Sequence, residues 1–207
     1  MKKTIGASLL LATAVLLLGG CGSTTTRYYT LAEAAPQVAA PRAPAQAPLA
    51  IELAPVSMAE RFARPQLVVR KSGAPLAEVE VLEQSRWSSS FENELRDALS
   101  AGVAARLSAF DATKAGRPRG IPVYRISVQL RQFDAQPGSQ VDGAFGWSVR
   151  RGDEDAALAC QIQLSEPAAS GADGVAQSAQ RITARVADEI ARNVAALAAN
   201  QPARCPA

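Results

Sequence analysis

The sequence contains no histidine. That one absence removes Ser-His-Asp and Cys-His catalysis, every His-ligated metal site, and the side chain that most often moves protons near pH 7. Neither G-x-x-x-x-G-K-[ST] nor G-x-G-x-x-G occurs, so no phosphate cradle is written in the chain, and Gly143-Ala144-Phe145-Gly146-Trp147 is only a glycine-flanked strand start. Aromatic residues make up 5% of the chain, which leaves little material to line a large apolar ligand cavity. Charge of one sign is lacking as well. Lys2 and Lys3 belong to a leader, and the other Lys and Arg residues match the 19 acidic residues to within one charge, so nothing favours nucleic acid as a partner. No metal or other cofactor is expected.

Long apolar runs are also scarce, with one exception. Ile5 to Leu18 is an apolar stretch of 14 residues behind a basic start, shorter than the roughly 20 residues a membrane-crossing helix needs. Followed by Gly19 and Gly20, it reads as a secretory signal peptide over residues 1–20. Leu18-Gly19-Gly20-Cys21 resembles the lipobox of bacterial lipoproteins. The small residues admit extended backbone to a peptidase at the membrane, and the thiol forms the thioether. The resemblance implies lipidation of Cys21, with fatty acyl chains such as palmitate; the alternative is an ordinary signal peptide with a chance cysteine. Each buried CH₂ contributes about 0.8 kcal/mol, so two or more chains hold a protein stably where one is marginal. In the sorting rule of such lipoproteins an aspartate after the cysteine retains the protein at the inner membrane. Gly22 stands there instead, which implies the periplasmic face of the outer membrane.

Of the three cysteines, lipidation of one leaves Cys160 and Cys205. They form a candidate disulfide in a compartment that permits it, worth at most about 4 kcal/mol for a loop of that length. The alternative is that Cys160, on an apolar strand face, is a buried thiol.

From Cys21 onward the chain has 187 residues, the size of one domain with a tether. Residues 21–27 read as the lipidated tether, 28–201 as a periplasmic α/β domain, and 202–207 as a tail. Tyr28-Tyr29-Thr30-Leu31 is β-prone. The Ala/Pro-rich stretch 33–48 after it, with Pro36, Pro41, Pro44 and Pro48, is extended; it could reach about 50 Å at roughly 3.1 Å per residue. Composition leaves open whether it is a tether or a loop inside the domain.

Period-two alternation predicts strands at Leu49–Ala54, Gln66–Arg70 and Glu78–Leu82, punctuated by Pro55, Pro65 and Pro75. Ser89 with Glu92 three residues on has the form of a capping box. Phe91, Leu95, Leu99, Val103 and Leu107 then recur every fourth residue, an apolar helix stripe. Tyr124, Ile126, Val128 and Leu130 alternate with polar residues as a strand. Ala144–Arg150 and Leu158–Leu164 form a hairpin turning at Gly152-Asp153. Gly171–Gly174 closes this meander. A last helix from about Val175 to Ala199 points Ile182, Val186, Ile190, Val194 and Leu197 inward and is stopped by Asn200 and Pro202. The predicted fold is α/β, a single domain with a mixed sheet and two long amphipathic helices packed on it. Alternating strands leave part of one sheet face wet or covered by a partner.

In order and spacing, several segments resemble the PqiC (YmbA) family, the auxiliary lipoproteins of MCE-type ABC transport systems. They are Tyr28-Tyr29-Thr30-Leu31 soon after the cysteine, Ile51-Glu52-Leu53-Ala54-Pro55-Val56, Arg64-Pro65-Gln66-Leu67-Val68-Val69-Arg70, Arg86-Trp87 before the first helix, and the Ala-rich last helix. The resemblance spans nearly all of the chain after Cys21; the Ala/Pro stretch and the tail with Cys205 depart from it. It implies a non-catalytic subunit working beside a periplasmic MCE-domain protein (PqiB-like) and its membrane permease to move lipid and support the envelope, with a homo-oligomer as a further implication. Arg64, Gln66, Arg86 and Trp87 are the candidate interface residues, although Trp87 suits a packing anchor better. Asp153-Glu154-Asp155 beside Arg150-Arg151 reads as a charged hairpin tip. Two other functions compete. A lipid carrier would need its own acyl-binding cavity, and an envelope hydrolase would need a pocket pairing a serine with Lys71 or Lys114.

Overall fold

The computed structural model describes residues 25–33, 48–71, 77–154 and 156–206; Cys21 and Gly22 lie outside them. Among the described residues, nine strands fall into two mixed sheets. The larger is built from β2 (Ala50–Leu53), β3 (Ser57–Met58), β6 (Phe110–Asp111), β7 (Val123–Gln136), β8 (Gln140–Arg151) and β9 (Leu158–Pro167). Its order is β6-β2-β7-β8-β9, with β3 also on β7. β2 runs parallel to β6 and β7, while β7, β8 and β9 form an antiparallel meander. The smaller sheet has the order β1-β5-β4, from β1 (Arg27–Tyr29), β4 (Gln66–Arg70) and β5 (Val79–Trp87). β1 lies parallel to β5, and β4 lies antiparallel to it. Because β1 is part of this sheet, the Ala/Pro-rich stretch connects two strands of the fold.

The helices are α1 (Phe91–Leu107), the short α2 (Ala112–Ala115) and α3 (Gly171–Ala198). The stripe read for α1 is buried throughout, with Leu99 and Val103 at 0% exposure. In α3, Ile182, Val186, Ile190 and Val194 are buried, and Leu197 packs at the core margin. Both stripes meet the inward residues of β2, β7 and β8 in one core, including Ile51, Leu53, Ile126, Phe145 and Val149. The two helices approach closely at Gly102, where an added Cβ would lie 3.1 Å from the Cβ of Ala187. Among the described residues, no helix covers the opposite face of the meander. Its outward residues are polar or small: Ser127 and Gln129 from β7, Gly146 and Ser148 from β8, Gln161 and Gln163 from β9.

Several expected boundaries move, each for a local reason. The cap of α1 is Ser90, whose hydroxyl accepts from the Asn93 amide, so Ser89 stands one residue too early to be the cap of a Ser89/Glu92 box. The glycines at 171–174 are the first turn of α3, not the end of the meander. Gly174 is required there because a Cβ would sit 2.1 Å from the Ala169 carbonyl oxygen. Asn200 does end that helix region, taking φ 53° in the left-handed region. β5 continues past Leu82 to Trp87, across the irregularity at Gln66/Leu67 that breaks the alternation of the pair. β7 and β8 extend to a turn at Gly138, which adopts φ 77° as glycine permits.

Candidate functional site

Among the described residues, no strand pairs with β7 beyond Leu130 on the side where β2 and β3 pair with it earlier. The register with β8 also shifts between Leu130 and Gln132, setting Arg131 apart. Strand β4, the outer strand of the small sheet, comes alongside this stretch. A cleft of about 430 Å³ opens between them, lined from β4 by Val68, Val69 and Arg70, from β5 by Val79 and Val81, and from β7 by residues 131–135. The 3-10 turn Glu60–Phe62 and the following loop add Arg61, Phe62 and Arg64.

Packing explains the floor. Val68 pairs in register with Val81, and Arg70 with Val79, so these side chains share one face of the small sheet. Leu67 and Val69 point the other way and are buried at 1% and 3% exposure. Val79 is 54% exposed, a large apolar side chain left in the open. Two of the lining residues, Phe62 and Phe133, belong to a ladder of aromatic rings. Trp87 stacks on Phe91 at 5.2 Å, Phe91 meets Phe133 at 4.9 Å, and Phe133 meets Phe62 edge-on at 6.5 Å.

Electrostatics set the rim. Arg70 grips Asp134 with two hydrogen bonds, Nε to Oδ1 at 2.7 Å and a terminal nitrogen to Oδ2 at 2.9 Å, tying β4 to β7. Asp134 is thereby neutralised. Among the described residues Arg61 and Arg64 have no carboxylate partner, and Arg131 donates only to the neutral Gln161 amide oxygen at 2.7 Å.

Of the interface candidates, Arg64 lines this cleft and is exposed. Gln66 and Arg86 face each other in register and share Glu83. The Gln66 amide donates to its carboxylate at 3.3 Å, and Arg86 donates to its carbonyl at 2.9 Å. Trp87 is the packing anchor that its position favoured: at 3% exposure and stacked on Phe91 it belongs to the core, which removes it from the interface candidates. Arg61, Val79 and Arg131 are the residues that sequence reasoning missed. The available signal was the pair Val79 and Val81 between glutamates, read simply as strand.

At the tail, the sulfurs of Cys160 and Cys205 are in bonding contact, with Cα atoms 5.2 Å apart. The side-chain amide of Asn193 reinforces the attachment by donating to the Arg204 carbonyl at 2.9 Å, while its oxygen accepts from the Trp147 indole. The tail is held beside β9, the outer strand of the meander. The lysines of the hydrolase alternative are surface ion pairs, Lys71 with Glu78 at 2.9 Å and Lys114 with Asp97 at 2.7 Å.

Where the chain enters the body, the Glu94 carboxylate of α1 accepts from Thr30 Oγ1 at 2.9 Å, the Leu31 amide at 3.0 Å, and the hydroxyls of Ser88 and Ser89. Burial pushes this carboxyl upward. The four donors outweigh burial and hold it below the usual glutamate range.

A family model described as ABC-type transport auxiliary lipoprotein component matches residues 29–191, from β1 into α3. The chain belongs to this family. Solved structures share the fold of this auxiliary lipoprotein. One is an uncharacterized protein at 18% identity, aligned over 83% of this chain and 99% of its own with a TM-score of 0.63. Another is protein XCC0632 from Xanthomonas campestris, described under DUF330, at 16% identity over 80% and 92% of the two chains with a TM-score of 0.55. No curated protein matches the sequence. Among the described residues, no helix of this family member is long and apolar enough to cross a membrane.

Proposed function

We propose that this auxiliary lipoprotein is a non-catalytic subunit of an MCE-type lipid transport system, held by acyl chains on Cys21 at the periplasmic face of the outer membrane. It binds a PqiB-like MCE-domain protein and through it the membrane permease, without a cofactor. The family match supports the transport role, and one observation supports docking in particular: an apolar, arginine-rimmed cleft open to solvent between the two sheets. The cleft favours docking over the carrier reading, because an acyl cargo needs enclosure, and here Val79 on the floor is 54% exposed. A ring of copies would suit a conduit between membranes, and native mass spectrometry of the detergent-solubilised protein measures it.

The deciding experiment is purification of the lipidated protein from native membranes in mild detergent, with mass spectrometry of everything that accompanies it. An MCE-domain protein should be recovered, and should be lost from the Arg64→Glu variant. Recovery of a stoichiometric lipid and no protein would replace this reading with the carrier.

A further inference from the structure

We propose that the outward face of the meander holds a binding site for a phosphate group, free or as the ester of a lipid headgroup, between β7 and β8 at the end far from the turn at Gly138. The site goes beyond the adaptor reading and does not depend on it. Register is the first ground. Arg125 of β7 stands directly opposite Arg150 of β8, and two residues along the same face Ser127 stands opposite Ser148. Side chains so placed have Cβ atoms roughly 5 Å apart, so two guanidiniums and two hydroxyls mark the corners of one small patch. All four line a pocket of about 360 Å³. Like charges opposite each other across a sheet destabilise it, and a bound anion offsets that repulsion.

The second ground is charge balance. Among the described residues Glu52 is the one carboxylate lining the pocket, and it is shared: Arg117 donates to it at 2.7 Å and Arg125 at 3.4 Å. The carboxylates nearest Arg150 in the chain, Asp153 and Glu154, go to Arg151, and Arg150 itself donates to the Glu154 carbonyl at 3.2 Å. Arg96 reaches the rim from α1, donating to the Leu53 carbonyl at 3.1 Å. Positive charge therefore exceeds negative, and the hydroxyls of Ser127 and Ser148 stand ready as further donors. A phosphate surrounds one atom with acceptor oxygens in three dimensions and answers both guanidiniums and both hydroxyls together. A carboxylate, with its oxygens in one plane, answers fewer of them.

The test titrates the full-length lipidated protein, purified in a neutral detergent, with inorganic phosphate and separately with dihexanoylphosphatidylglycerol, using isothermal calorimetry with acetate and chloride controls at matched ionic strength. Binding of at least one phosphate probe is expected. Arg125→Gln or Arg150→Gln should weaken it roughly tenfold or more and Ser148→Ala about threefold, while Arg64→Gln, in the other cleft, leaves it unchanged. Tighter binding of inorganic phosphate assigns a free phosphate, and tighter binding of the phosphatidylglycerol assigns a lipid headgroup. Melting temperature is the second readout. Without phosphate, Arg150→Gln should melt no lower than the parent, because a like-charge pair is relieved, and phosphate should raise the parent's melting temperature more than the variant's. Acetate bound as tightly as phosphate, equal binding by the parent and both arginine variants, or binding of neither phosphate probe overturns the proposal. An Arg150→Gln variant that melts lower yet binds phosphate like the parent makes the pair structural, and overturns it too.

Discussion

The two sheets solve the same problem with unequal resources. In the meander of β7, β8 and β9 the centre of one face is dry: Ile126, Val128, Phe145, Trp147 and Val149 all lie at 3% exposure or less beneath α1 and α3. The small sheet fully buries only Leu67, Val69 and Trp87, and leaves Val79 open. Where a sheet is fully covered, its residues are committed to stability. Where it is half covered, the uncommitted surface is free to recognise something else. The difference assigns stability to one region and partner docking to the other.

Ile190→Ala should give the largest effect, removing a side chain at 0% exposure from beneath the meander. A loss of about 2–5 kcal/mol in urea unfolding is expected; a loss under 1 kcal/mol would break the contrast between the sheets. Replacing Cys160 and Cys205 together by serine should cost about 2–4 kcal/mol by freeing the tail from β9. The change should vanish when parent and variant are compared in reductant. Peptide mapping without reductant checks that the bridge exists.

Glu94→Gln should cost about 1–3 kcal/mol by weakening four charge-assisted hydrogen bonds at the small sheet's end of α1. Since the folded carboxyl sits below its ordinary value, its contribution is fully present above the unfolded pKa near 4.3 and drains away as pH falls through the lower folded value. The gap between parent and variant should therefore be constant from pH 8 to about 6 and shrink on acidification toward pH 3. A gap that widens on acidification would show that the carboxyl is not held low. Val79→Asp should change stability by no more than about 0.5 kcal/mol while abolishing partner recovery, the sharpest expression of the contrast.

Legibility in the sequence divides along the same line. The stripes of α1 and α3 and the alternation in β7 are periodic because each has one buried face, and periodicity can be read from a single chain. β3 and β6 have two residues each, too few to show a period. β5 lost its second half because an irregular register moves its inward residues out of phase. The cleft was beyond local reading, since its walls come from residues 61–70, 79–81 and 131–135, brought together only by tertiary folding. Arg64 was found by its neighbourhood; Arg61 and Arg131 had no local mark. Trp87 went inside because the helix after it supplies Phe91 as a stacking partner.

The clamp on Thr30 and Leu31 makes the start of the chain a ruler. Arg27, where β1 begins, comes six residues after the cysteine proposed to carry acyl chains, and six residues span at most about 20 Å. Because Glu94 and the pairing of β1 hold residues 27–31 in place, no slack can be drawn from the body to lengthen that leash. With acyl chains on Cys21 the body would hang close under the bilayer, and a partner arriving from the opposite membrane would have to cover nearly the whole intervening distance itself.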